Sequence, residues 1–247
     1  VLRPVFFTPL NFANFFTQAA VVAILAMGLV FVLLLGEIDL SAGVVSGVSG
    51  ALLAVGMAKW GFPWFVAVGV SLGAGILIGL FIGFLVARVG IPSFVVTLAL
   101  FLAFQGLVLV IIGEGGNVRI TDPVILAIQN KNLPGWAGWL FYLILVVGFL
   151  ALGLSGRRRR IRRGFSAPAL SLILIKVGIV AVIGFGVVWV LNLERSVNPE
   201  VNPLSGVPII IPIIAVLALI FGFVLERTKF GRHVYAVGGN VEASRRA

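Results

Sequence analysis

Long apolar blocks separated by short polar stretches run the length of this chain. They cover about residues 19–35, 44–59, 65–87, 94–112, 139–154, 168–191 and 207–225. A membrane-spanning helix needs roughly 20 apolar residues, so the pattern predicts an all-α polytopic membrane protein with about seven transmembrane helices. The first two blocks, with 17 and 16 residues, fall slightly short of that length, which predicts a discontinuous helix region near 36–43 where they meet. Between blocks the punctuation is conventional. Residues 1–18, with Pro4, Pro9, Asn11, Asn14 and Gln18, read as an interfacial segment that turns helical near Asn11. Lys59–Trp64 reads as a tight turn with tryptophans suited to the membrane interface. Residues 113–137 and 192–206 have loop composition, and Pro208 and Pro212 fall in the first turns of the last block, where proline is best tolerated. Gly69/Gly73 and Gly75/Gly79/Gly83, at four-residue spacing, predict close helix packing rather than chemistry.

Within this pattern Gly36-Glu37-Ile38-Asp39-Leu40-Ser41-Ala42-Gly43 stands out, because it sets two carboxylates between blocks with almost no charge of their own. Ionisable groups at membrane depth are costly and mark functional sites by default. Broken backbone at that depth is tolerated where it is buried or lines a cavity, as in transporters. Glu37, Asp39 and Ser41 are therefore candidate pathway residues. The alternative places both acids at headgroup level, with Asp39 or Ser41 capping the next helix. Thr97 and Gln105 are the polar residues of the fourth block; they either line a pathway or make interhelical hydrogen bonds. Lys176, eight residues inside the sixth block, either snorkels to the interface or faces a pathway.

Composition narrows the class. Hydrophobic residues make up 61% and charged residues 11%, with a mean hydropathy of +1.21, values outside the soluble globular range. A signal peptide explains one apolar block near the N-terminus but not seven. The chain has no cysteine, so it has neither disulfides nor zinc–thiolate sites nor thiol nucleophiles.

The net charge of +10 raises nucleic-acid binding, with Arg157-Arg158-Arg159-Arg160-Ile161-Arg162-Arg163 as the patch. Its position between two apolar blocks instead marks a cytoplasmic connection under the positive-inside rule, with contact to anionic lipid headgroups as an added role. Arg88, the six arginines of 157–163, Arg227, Lys229, Arg232, Arg245 and Arg246 put twelve basic residues on one face. Arg3, Lys59, Arg119, Lys131 and Arg195 put five on the other. The first face is cytoplasmic, which places Val1 outside and predicts a further membrane helix before it.

After the last block the chain turns polar and amphipathic from Glu226 to Ala247. Gly238-Gly239 reads as a flexible turn leading to a helix capped by Asn240 and starting at Val241. Glu242 would lie in its first turn, where a carboxylate complements the helix dipole.

Three segments carry a resemblance: Glu37-Ile38-Asp39-Leu40-Ser41-Ala42-Gly43, Ile91-Pro92-Ser93-Phe94-Val95-Val96-Thr97-Leu98, and Thr228 to Ala243. Together they resemble the permease subunits of bacterial ATP-binding-cassette sugar importers of the second carbohydrate-uptake family. Glu37 and the arginine-bearing connection are most similar to the xylose-type members. The resemblance implies a fragment, cut at both ends, of a single transmembrane permease domain covering 1–247, in a multi-pass inner-membrane protein that imports a monosaccharide. It implies that 226–247 is a cytoplasmic loop docking on a separate ATPase, with Phe230, Gly231, Arg232, Tyr235, Gly238, Gly239, Asn240, Glu242 and Ala243 as the coupling residues. ATP and magnesium would then be held by that partner; no phosphate-binding GxxxxGK[ST] occurs in this chain. The other implied partners are an extracytoplasmic sugar-binding protein and a second permease copy. Two other classes compete with this one. An intramembrane enzyme requires an activated nucleophile or metal cluster, against one histidine and no cysteine. A secondary transporter or channel would use Glu37 and Asp39 to titrate or bind cations.

Overall fold

The computed structural model describes residues 8–114, 116–196, 198–201, 204–240, 242 and 244. Among them are α1 (Pro9–Leu34), α2 (Ala42–Ala58), α3 (Trp64–Phe84), which continues as a π-helical turn over Leu85–Val89, and α4 (Ser93–Ile112). These are followed by α5 (Pro123–Asn130), α6 (Gly135–Arg162), α7 (Leu170–Asn192), α8 (Ile210–Arg227) and α9 (Lys229–Gly239). Six of these, α1, α3 with its π-turn, α4, α6, α7 and α8, are long and apolar enough to cross a membrane, and α2 is a shorter apolar helix. The all-α polytopic architecture follows directly from the apolar blocks.

Four local features differ from the expectations. First, α1 begins at Pro9 rather than near Asn11, and its 26 residues give about 39 Å at 1.5 Å per residue. The 35–41 break therefore follows a helix already long enough to span. Second, the arginines from Arg157 to Arg162 continue α6 rather than forming a loop. Cations in a last turn complement the helix dipole, and Gly164, at φ 73°, ends the helix with Phe165 N–H reaching Arg160 O at 3.0 Å. Third, the 113–137 loop contains α5, started by Asp122, whose Oδ1 accepts from Val124 N at 2.8 Å and Ile125 N at 3.2 Å. Fourth, Gly238 and Gly239 lie within α9, not in a turn. The small-residue face of α3 is also largely unused within this chain, since a Cβ added at Gly69, Gly73, Gly79 or Gly83 would meet nothing within 4 Å.

The chain divides into two compact units. The first combines 1–19 with 129–213. In it α6 and α7 pack closely at Gly153, where an added Cβ would lie 2.8 Å from Ile173, and at Gly184, where Tyr142 is 3.1 Å away. Ala13, Val188, Leu191 and Val207 form its buried core. Asn132 and Pro208 pair in an isolated antiparallel bridge, and Ile209 N–H donates to Lys131 O at 3.0 Å.

The second unit combines 20–128 with 214–247. Its centre is α2, packed on α3 and α4, with Val48 and Val55 buried. Phe31 of α1 meets Phe221 of α8 edge-on at 5.4 Å between ring centroids. Large apolar side chains elsewhere in the chain are widely exposed, Val110 at 78% and Leu109 at 70% among them, as suits helices whose solvent is lipid.

Candidate functional site

The acidic break belongs to the second unit and is built by standard termination chemistry. Gly36, at φ 81°, takes the left-handed conformation that ends α1. Its N–H donates to Leu33 O at 3.0 Å and that of Glu37 to Val32 O at 3.2 Å, the paired bonds of a glycine-terminated helix. Asp39 Oδ1 then accepts from Ser41 N at 2.8 Å and from Ser41 Oγ at 2.6 Å. Ser41 is fully buried, and its carbonyl accepts from Val45 N at 2.8 Å to start α2. Asp39 and Ser41 thus satisfy each other just before the helix, while the Ser41 side chain makes no cap bond to the first turn of α2. The Glu37 carboxylate makes no hydrogen bond among the described residues, and it is half-buried.

The fourth block reaches this break from α4. Ser93 Oγ accepts from Ile38 N at 3.2 Å. Thr97, 1% exposed, shares its hydroxyl between Ser93 O at 2.9 Å and Ile38 O at 3.3 Å. Two of the segments that carry the resemblance are therefore one structure, with Ser93 and Thr97 holding both polar groups of the Ile38 backbone. Thr97 faces the break rather than an open path. Gln105, two turns further along α4, is exposed. At the far end of the pair, Lys59 Nζ donates to Ile112 O at 2.6 Å, so α2 and α4 are tied at both ends.

The third segment meets the end of α1, just before the first. Thr228 caps α9, accepting from Gly231 N at 3.1 Å, while its hydroxyl donates to Val224 O of α8 at 2.6 Å. A Cβ at Gly231 would collide with the carbonyls of Val224 and Leu225, and one at Gly238 would collide with the carbonyl of Leu34. Gly231, Val234 and Gly238 share one helix face by their spacing. Phe230, 58% exposed, and Tyr235, 50% exposed, flank that face, the Phe230 ring lying 6.2 Å from that of Phe31, while Arg232 and His233 are exposed. Gly238 is required for close approach, not for flexibility, and the turn comes at Asn240, which is extended at φ −164°. Ser244 N–H donates to Asn240 O at 3.0 Å, and Glu242 and Ser244 are helical. Val241 and Ala243, like Arg3, Arg245 and Arg246 of the charge count, lie outside the described residues.

A second polar feature, in the first unit, was not anticipated from the sequence. A pocket of about 290 Å³ is lined by Asn14, Thr17, Gln18, Gln129, Asn130, Asn132 and Arg195 among others. Arg195, 7% exposed, donates from Nη1 to Leu191 O and from Nη2 to Gly206 O at 3.0 Å. Its buried Nε has no hydrogen-bond partner among the described residues. Burial pulls its pKa below the ordinary arginine value, opposed by the neighbouring Glu194. Glu194 Oε1 in turn accepts from Leu204 N at 2.7 Å, Ser196 N at 2.9 Å and Arg195 N at 3.1 Å. These bonds, that to Leu204 foremost, hold its carboxyl below the usual carboxylate range. Asn14 and Gln18 were visible as polar residues near the N-terminus, but their partners are more than a hundred residues away.

Comparison with known proteins adds the relatives of this arrangement. Residues 11–247 match the family described as branched-chain amino acid transport system / permease component. The chain is 36% identical over 235 residues to the xylose transport system permease protein XylH of Haemophilus influenzae, a match covering 95% of this chain and 60% of that protein. The XylH of Escherichia coli K12 is also 36% identical, over 95% of this chain and 57% of its own. The ribose import permease protein RbsC of Haemophilus influenzae is 27% identical over 99% of this chain and 54% of its own. The chain thus spans somewhat over half the length of these relatives. No solved structure matches it.

Proposed function

The chain belongs to the branched-chain amino acid transport system / permease component family, and from that premise we propose that it is the membrane-spanning part of an ATP-driven importer of a monosaccharide, a pentose of the xylose or ribose kind. The relatives named for xylose and ribose transport support the substrate class. The observation that carries the mechanism is the seating of α9, wedged by the backbones of Gly231 and Gly238 against α8 and the end of α1, with Phe230 beside Phe31 and Arg232, His233 and Tyr235 exposed. A short helix held in this way moves as a rigid body, so a force on its outer face reaches Leu34 and the acidic break directly.

In this reading 226–247 is a cytoplasmic loop that receives a separate ATPase, which binds ATP and magnesium and performs the hydrolysis. The chain itself is a transport subunit in the bacterial inner membrane, with 1–247 forming one permease domain that pairs with a second copy. An extracytoplasmic sugar-binding protein delivers the substrate. Glu37 and Gln105, whose side chains make no hydrogen bond among the described residues, are the pathway residues retained from the sequence, beside Asp39, Ser41 and Thr97, which are engaged in internal bonds. The amides of the 290 Å³ pocket both donate and accept, which matches the hydroxyls of a neutral sugar.

The test is reconstitution with an ATPase and a binding protein in sealed vesicles. Uptake of labelled xylose or ribose that requires ATP and persists without a membrane potential is expected. Uptake that follows the potential and ignores ATP would replace this proposal with the secondary-transporter reading.

A further inference from the structure

Two of the arginines in the last turns of α6 and the lysine within α7 line a feature that the transport reading leaves unused. A groove of about 380 Å³ runs between these helices, walled by Phe149, Leu152, Leu172 and Ile173. Arg157, Arg160 and Lys176 line the same groove, and Arg157 is oriented there by its Nε–H, which donates to Pro168 O at 3.1 Å. Three like charges have been gathered, and no acidic residue lines the groove with them. Between Asp122 and Glu194 the chain has no acidic residue. Glu194 lies 18 residues beyond Lys176, about 27 Å away along a helix, well past the roughly 8 to 10 Å over which exposed charges interact at physiological salt.

We infer that this groove is a binding site for one anionic phospholipid, its phosphate held by Arg157, Arg160 and Lys176 and an acyl chain lying along the apolar wall. The pairing of cations with an apolar trough is what separates a lipid from a soluble anion, because basic pockets between membrane helices offer both halves of the molecule a partner. Arginine suits the phosphate through its planar set of donors. Lys176 lies inside its helix with a long apolar stem along the wall, so its ammonium reaches the headgroup level without leaving the groove. Gly156, which also lines the groove, leaves it open, since a Cβ there would meet nothing within 4 Å.

The experiment measures lipid retention and thermal stability of the purified chain in nanodiscs of phosphatidylcholine, with and without phosphatidylglycerol. Phosphatidylglycerol is expected to stay bound at one copy per chain and to raise the unfolding temperature. Each of Arg157→Gln, Arg160→Gln and Lys176→Leu should weaken that binding about fivefold, and the triple variant on the order of a hundredfold. Gly156→Leu keeps every charge and improves helix propensity, and should abolish retention by filling the trough. Arg158→Gln, which does not line the groove, should leave binding unchanged. The inference is overturned if Arg158→Gln weakens binding as much as Arg160→Gln, which would mean diffuse surface charge. It is equally overturned if inorganic phosphate stabilises as well as phosphatidylglycerol and Gly156→Leu has no effect, which would mean a bare anion site.

Discussion

The backbone of Gly238 lies flat against the carbonyl of Leu34, so closely that a single added methyl at position 238 would strike it. That contact joins the end of α9 to the last turn of α1, two residues before the acidic break. It also separates two adjacent glycines that look equivalent in the sequence, because Gly239 meets nothing within 4 Å.

Gly238→Ala is therefore expected to unseat α9, at roughly 1 to 3 kcal/mol for forced overpacking, and to lower ATP-dependent uptake in vesicles while the chain still inserts. Gly239→Ala should leave uptake intact and stabilise the helix by a few tenths to about 1 kcal/mol. Equal effects of the two substitutions would dismiss the wedge.

Asp39→Asn discriminates between a path and a cap. Asparagine keeps an oxygen to accept from Ser41 N and Oγ, so thermal stability should change little, whereas Asp39→Ala loses both bonds and should cost about 1 kcal/mol. Uptake close to that of the parent in Asp39→Asn is expected from the mutual bonding of Asp39 and Ser41. Loss of uptake at unchanged stability would return Asp39 to the pathway.

Thr97→Val preserves shape and removes the hydroxyl that bonds Ile38 O and Ser93 O. The expected loss is about 0.5 to 1.5 kcal/mol, read as a fall of roughly 1 to 6 °C in unfolding temperature if unfolding is two-state. Ser93→Ala should cost less, since the N–H of Ile38 lies in an exposed segment and water can replace the lost acceptor.

Acid should act on the loop that follows α7. The folded-state pKa of Glu194 is lowered, mainly by the N–H of Leu204, so the stability it contributes is complete above the ordinary carboxylate range. It is lost as pH falls through the lowered value. Glu194→Gln should flatten that acid limb in unfolding scans of the detergent-solubilised chain. An unchanged limb would show that other groups set it.

The membrane helices were legible because burial in lipid demands length and apolarity, and both can be read residue by residue. What escaped depends on distance or on a residue with two uses. Glycine at 238 reads as a hinge until Leu34 is placed beside it. Six clustered arginines read as a loop, although a helix end facing water accepts them. The clasp of Ser93 and Thr97 on Ile38 joins positions 55 and 59 residues apart, and no periodicity reports such a pairing. The amide pocket escaped for the same reason, since Asn14 and Asn132 are unremarkable polar residues until the fold brings them together.

The bonds at both ends of α2 and α4 make the break a spacer as well as a turn. Helix α2 has 17 residues and α4 has 20, about 26 and 30 Å at helical rise, yet their ends are matched at Ile38 with Ser93 and at Lys59 with Ile112. The missing length is supplied by the non-helical residues from Ile38 to Ser41. Those residues are clasped by Ser93, Thr97 and the Asp39–Ser41 bonds, so the register of the two helices is set in a segment that begins four residues beyond the Leu34 contact with α9.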